Sequence, residues 1–348
     1  MKSFASWRSL VTATLVAPAA IAGCARFTFA ADQTPEVFYK QNGLKIVVAS
    51  GAGGGYDTYT RVLQRYYSAH LPGKPNIVVE NMPGAAGLTG TNWAYNSAPQ
   101  DGSTIMATYS ALIDSNLVGN AKARFDVRKF NWIGSIASTT LICVDWNTSP
   151  YKDIRQMIGK PLTVSSTGMT AHSALMPLML NEVLGTQFKV IAGYGTTEMV
   201  LALERHEVDV ICGIGLSTLK ASNPEWLIDK KVNVIAQVGL TKDPELPDVP
   251  NVLDLVAGAD HDLVEYGAII QAMGRPYFAP PNVPVDRLAA LHKGFDETMT
   301  DPGFVADIEK LRLNVSAMSG DDMQKWIDKL YRFSPETIKR EAKFSSTD

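Results

Sequence analysis

Cysteine, histidine and long apolar runs are all scarce in this chain of 348 residues, which holds three cysteines and five histidines. His70, His172, His206, His261 and His292 are scattered, and no His-Glu-x-x-His or Cys-x-x-Cys spacing occurs. A metal centre is therefore not expected, because such sites need ligands at short, fixed intervals. No Gly-x-Ser-x-Gly elbow exists to expose a nucleophile, so no catalytic residue is assigned. Beyond the N-terminal region no stretch is long and apolar enough to span a bilayer. Positive charge is not in excess either. The first 30 residues hold three of the 32 basic residues, Lys2, Arg8 and Arg26, and no acid; the remainder is 29 basic to 35 acidic, a net charge of −6. Such a surface is a poor partner for nucleic acid or an anionic membrane. An anionic ligand would have to be held by local N–H groups rather than by the overall field.

What is present begins with a secretory signal. Lys2 and Arg8 precede Leu10–Gly23, a small-residue-rich apolar stretch too short to cross a membrane. Two cleavage readings stand. Ile21-Ala22-Gly23-Cys24 has the shape of a lipoprotein box, which would make Cys24 the lipidated first residue; Thr28-Phe29-Ala30 would instead place the cut before Ala31. Both export the chain. Cys143 and Cys212 each lie in a strand-like run. An oxidising compartment permits a disulfide between them, but two small buried thiols are the favoured reading, since free cysteine is among the most buried residue types.

The body of the chain alternates strand and helix. Strand 44–50 runs through the glycine loop Ser50–Tyr56 into a helix over 57–71. Strand Asn76–Glu80 leads through NMPGAAGLTG to a helix containing Trp93 and Tyr95, and strand 103–109 leads to a helix starting near Ser110. The rhythm repeats with strand 161–166, helix 170–184, strand 188–192, helix 196–207, strand 208–212 and strand 232–238. Short connections between alternating elements predict two doubly wound α/β units. Trp132–Val144, nearly all apolar or small, would cross from one unit to the next. The tail is too helical for a third unit and is expected to pack on the first.

The loop at Gly51–Tyr56 carries the most chemical information. Glycines at a helix start let backbone N–H groups face outward where the helix dipole is positive, which makes a seat for an anion. It is not a P-loop, because Tyr56-Asp57 stands where Lys followed by Ser or Thr is needed. Gly51-Ala52-Gly53 matches half of a dinucleotide fingerprint, but Tyr56 occupies the third glycine position; Glu80 would be the ribose-binding acid of that reading, an exported oxidoreductase. Asp57 suits helix capping, with contact to a ligand amino group or water as a compatible second role. His172, in the first turn of its helix, is read as packing or capping before ligand contact. The loops after the strands are lined by small and hydroxyl residues, and ligands in open α/β sheets lie beyond the carboxyl ends of strands.

Taken together, GAGGGYDTYTRVL, VVENMPGAAGLTG, SAPQDGSTI, VSSTGMTAHSALM, ALERHEVDV, LPDVPNVLDL and FAPPNVPVDRLAALHKGFDETMTDPGF resemble the solute receptors of tripartite tricarboxylate transporters, the Bug-type periplasmic binding proteins. They run in family order from about Phe38 to Trp326. The resemblance implies a type II periplasmic-binding-protein fold, α/β throughout, in which two doubly wound domains close on a ligand cleft by a hinge. Domain 1 would be 31–137 plus 250–348, domain 2 would be 138–249, and 1–30 would be the signal peptide. It implies a monomeric receptor without catalysis or cofactor, which captures a small organic carboxylate and passes it to integral membrane permease subunits. Signalling through a receptor is a further reading of the same capture step. The ligand-binding residues implied are Gly53, Gly54, Gly55, Tyr56 and Asp57, with Ser110 and Ala111, and across the cleft Thr167, Gly168, Met169, Thr170 and Tyr194. Tyr56 and Met169 depart from the smaller residues common in the family. They would reshape the pocket, for instance for a flat or partly apolar acid. Val256–Gly274 adds a helical segment that simpler members lack.

Overall fold

A computed structural model describes residues 33–169 and 171–345. The signal segment with Cys24, and the expected ligand residue Thr170, lie outside the described residues. Eleven strands form two sheets among these residues. The first contains β1 Leu44–Val48, β2 Ile77–Asn81, β3 Thr104–Ala107, β4 Asn131–Ser135, β10 Pro276–Ala279 and β11 Met318–Ser319, in the order β11-β4-β10-β3-β1-β2. The second contains β5 Leu141–Trp146, β6 Thr163–Ser166, β7 Lys189–Ala192, β8 Val210–Gly215 and β9 Val232–Val238, in the order β7-β6-β8-β5-β9.

Both units are parallel where the sequence alternates strand and helix. β1 pairs in parallel with β2 and β3, and β6 with β7 and β8. The strands where the chain changes sheet are antiparallel: β10 runs against β3 and β4, and β5 against β8 and β9. The sheets are therefore mixed, and the apolar run Trp132–Val144 supplies β4 and most of β5. Alternate residues of β1 face opposite cores. Ile46 and Val48 pack with Tyr59, Leu63 and Phe295, whereas Val47, and Ala49 just past the strand, pack with Met106, Phe130 and Phe278. Burial on both faces explains why the strand reads as a continuous apolar run.

Three expectations change. The helix expected from Ser110 is a single tight turn, Ser110–Leu112, followed by irregular chain through Asn116 and Gly119, residues that stop a helix. Cys143 and Cys212 are not free thiols: they lie opposite each other on paired strands β5 and β8 and form a disulfide. Strand register, which composition does not reveal, brings them together. The tail does not pack wholly on the first sheet. Val252, Leu253, Val264 and Ala268 enter a core of the second sheet, while Tyr266, Ile269 and Ile270, from the same helix Gly258–Ala272, enter a core of the first. A last helix, Pro335–Ser345, places Arg340 against Glu182 of helix His172–Leu184 at 2.7 Å and against Asp260 at 2.6 Å.

Candidate ligand site

The loop after β1 is built by a carboxylate. Gly53 has φ +82°, a conformation that glycine adopts without strain. Its N–H donates to Asp57 Oδ2 at 2.8 Å, and Arg61 Nε donates to the same oxygen at 2.9 Å. Asn81 Nδ2 donates to Asp57 Oδ1 at 2.8 Å and to the Ser50 carbonyl at 3.0 Å. Asp57 is 2% exposed, with its carboxylate turned into the loop as a strut. Burial pushes its carboxyl up, but the hydrogen bonds from Arg61, Gly53 and Asn81 outweigh that and hold it below the ordinary aspartate value. Glu80 pairs with Lys45 at 3.0 Å, so the acid that a dinucleotide site would use on a ribose is taken up by a neighbouring strand.

Helix Gly55–His70 starts from Gly54, which has no side chain to cap it. The N–H groups of Gly55, Tyr56 and Asp57 are therefore available at the positive end of a 16-residue helix. Gly54 and Gly55 are exposed. Tyr56 ties this loop to the loop after β3: its hydroxyl accepts the Ser110 N–H at 3.3 Å, and its ring meets Tyr109 edge-on at 4.6 Å. Ala111 is exposed beside them. Gly53–Asp57, Ser110 and Ala111 thus form one group.

The loop after β6 is built by hydroxyls. Ser166 Oγ lies 2.9 Å from Ser173 Oγ and donates to the Gly168 carbonyl at 2.8 Å, while the Thr167 N–H donates to Ser173 Oγ at 3.2 Å. Helix His172–Leu184 starts from Ala171, again without a side-chain cap. Thr167 and Met169 are exposed, Met169 to 53%. Tyr194 follows β7, and its N–H donates to the Ser166 carbonyl at 3.2 Å; its half-buried ring packs on a core of the second sheet. Thr167–Met169 and Tyr194 form a second group. Elsewhere both kinds of start occur: Thr34, Asp301 and Ser319 each accept a first-turn N–H with a side-chain oxygen, whereas helices Gly258–Ala272 and Val285–Met299 also begin without a side-chain cap.

One segment touches the first group and the start of the helix that follows the second. Gln271 Nε2 lies 3.0 Å from His172 Nε2 at the second loop. Four residues on, the guanidinium carbon of Arg275 sits 4.4 Å from the centre of the Tyr56 ring at the first. Both residues escaped the sequence reading; a lone arginine between Gly274 and Pro276 carries no motif. The crossing chain joins here too, since the Thr139 N–H donates to the Gln271 carbonyl and the Ile136 N–H to that of Arg275. A cavity of about 890 Å³ lies elsewhere, among Thr139, Thr140, Thr241–Glu245 and Asn314–Ser316, and none of the expected ligand residues lines it. His261, Asp262 and Glu265 bring ligand atoms within 4.8 Å of one another, a grouping the sequence reading did not pick out. Glu265 there is engaged by Lys329.

A family profile described as the tripartite tricarboxylate transporter family receptor matches residues 60–342. A UPF0065 protein of Cupriavidus necator is 26% identical over 316 residues, 87% of this chain and 86% of its own length. Among solved structures, a TctC solute binding protein from Polaromonas superposes with a TM-score of 0.71 at 16% identity, covering 85% of this chain and 98% of that one. MatC from Rhodopseudomonas palustris, solved with malate, has a TM-score of 0.55 at 19% identity over 87% and 98%. A second R. palustris protein, solved with adipate, has 0.57 at 16% over 86% and 97%. At these identities the structural likeness speaks for the fold alone, whereas the profile spans most of the sequence. Two mixed sheets and a profile match over residues 60–342 lead to the same place: this chain belongs to the tripartite tricarboxylate transporter receptor family.

Proposed function

We propose that this protein captures a small organic carboxylate in the periplasm and delivers it to integral membrane permease subunits, without catalysis and as a monomer. The observation that carries this reading is the pair of helix starts after β1 and β6. Each lacks a side-chain cap, and both abut the segment Gln271–Arg275. Free N–H groups at a helix start favour an anion, and two such starts flanking one mouth suit a ligand gripped from both sides. Gly53, Gly54, Gly55, Tyr56, Ser110 and Ala111 would meet it from the first sheet, and Thr167, Gly168, Met169, Thr170 and Tyr194 from the second. Asp57 would act through the loop it braces. The Cys143–Cys212 bridge suits an oxidising compartment.

In this reading the sheets belong to two lobes, 31–137 plus 250–348 and 138–249, with helix Gly258–Ala272 shared between their cores. The ligand favours the closed arrangement by touching both lobes. The test is thermal melting of the purified protein with a panel of carboxylates that includes malate and adipate. At least one should raise the melting temperature, and Gly54→Trp should abolish the shift. A Cβ at Gly54 meets nothing nearer than the Gly51 carbonyl at 3.6 Å, so the variant has room to fold while filling the mouth. A flat response to every acid, with no small acid released from denatured protein, would reject the reading.

A further inference from the structure

We infer that Arg275 is the charge-reading residue of this site, pairing its guanidinium with a carboxylate of the ligand; the inference rests on the receptor reading above. Arg275 stands between helix Gly258–Ala272 and β10, where its backbone is fixed at both ends. Its N–H donates to Ser135 Oγ at 3.0 Å, and its carbonyl accepts the Ile136 N–H at 3.1 Å. Its side chain is held as well. Nη1 donates to the Gly274 carbonyl at 2.9 Å, and the cation lies 4.4 Å from the Tyr56 ring centre and 5.4 Å from that of Tyr59. Two tyrosine faces stabilise a cation without using its edge donors, and only Nη1 has a carbonyl to meet.

Those donors have no acid to meet. Arg61, Arg65, Arg128, Arg155 and Arg340 each sit within salt-bridge distance of a carboxylate. Among the described residues none lies that close to Arg275, and its Nε is buried without a hydrogen-bond partner; Arg287, over the Phe38 ring, shares both features, so it is the place of Arg275 beside Gly55 that carries the inference. A half-buried guanidinium without a counter-charge is costly, and a carboxylate relieves the cost. The position of the side chain says where that carboxylate belongs. A Cβ added at Gly55 would come within 3.4 Å of Arg275 Nη2, so the cation borders the uncapped first turn of helix Gly55–His70. An acid at this helix start meets backbone N–H groups and the planar fork of an arginine together, the geometry that suits a full carboxylate and rejects a neutral amide. The ligand class is therefore an ionised carboxylic acid recognised by its charge.

The experiment measures calorimetric affinity for adipate and malate, and for their uncharged diamides, with wild-type protein and with Arg275→Gln. Wild type should prefer acid to diamide by at least tenfold. Arg275→Gln should lose at least tenfold in acid affinity and bring the two forms within about threefold of each other. Acid binding to Arg275→Gln at wild-type strength would overturn the role of Arg275 and leave the receptor reading standing. If wild type binds neither, the same comparison is made with whichever acid raises the melting temperature and with its amide; no response to any acid of the panel would remove both readings. Should Arg275→Gln not fold, the wild-type comparison decides: diamides bound within threefold of the acids overturn the inference, and a tenfold gap supports it.

Discussion

The loop after β1 is held by charge, whereas the loop after β6 is held by neutral hydroxyls and close backbone contact. In the first, Asp57 gathers hydrogen bonds from Gly53, Arg61 and Asn81, and Arg275 stacks on Tyr56. In the second, one hydrogen bond of 2.9 Å joins the Ser166 and Ser173 hydroxyls, and the chain at His172 lies directly on Gly213 of β8, where a Cβ would come within 2.1 Å of the His172 carbonyl oxygen. The glycines differ accordingly. Gly53 is needed for its positive φ alone, since a Cβ there meets nothing within 4 Å. Gly213 is needed for both its φ of +70° and the space. Similar helix starts can thus be set by an electrostatic brace or by steric seating, and the two should fail under different stresses.

The largest expected effect breaks the steric side. Gly213→Ala adds a left-handed backbone penalty to a clash with main chain that no side-chain rotation relieves, and should cost about 3 kcal/mol or more. Gly53→Ala carries the penalty without the clash and should cost about 1–2 kcal/mol. Denaturant unfolding of both variants measures the difference. Equal costs would mean that the second loop is not seated on Gly213.

A smaller effect, with a pH signature, probes the electrostatic side. Asp57→Asn keeps the volume but removes the charge that accepts three donors, and should cost about 2 kcal/mol at neutral pH. The folded-state value of this carboxyl lies below its unfolded value of 3.8. Its stabilisation is therefore complete above the unfolded value and is lost as pH falls through the depressed folded one. The wild-type advantage over Asp57→Asn should persist at pH 5 and shrink below pH 3.8. A gap that stayed constant down to the acid unfolding limit would show that the carboxylate charge contributes nothing to the loop.

These loops also mark how far the sequence could be read. Strand, glycine loop and helix were legible at 44–71 because each is a local pattern: an apolar run, a turn, then apolar residues at helical spacing. The second unit was legible for the same reason. What stayed hidden depends on pairing across long stretches of chain. β10 reads as a break because PYFA opens on Pro276 and is flanked by Gly274 and Pro280, yet it lies between β3 and β4. The disulfide needed the register of β5 on β8. Helix Gly258–Ala272 was foreseen as a helix but not as one serving two cores. Arg275 gained meaning only when Tyr56, some 220 residues earlier in the sequence, was found beneath it.

The smallest effect sharpens the contrast at the second loop. Ser173→Ala removes one hydroxyl that lies near Ser166 Oγ and accepts the Thr167 N–H. Both partners keep other options, because Ser166 Oγ still reaches the Gly168 carbonyl and Thr167 is exposed. A neutral hydrogen bond of this kind is worth about 1 kcal/mol, so the loss should stay near that figure. It should also be the same at pH 5 and at pH 3.5, since no carboxylate takes part in these bonds. Its consequence for binding should be general: acid and diamide affinities should fall together, because the hydroxyls shape the loop without reading charge. A Ser173→Ala variant that lost acid affinity selectively, or whose cost equalled that of Asp57→Asn and faded with it in acid, would place a charged contact at the second loop and erase the distinction between the two.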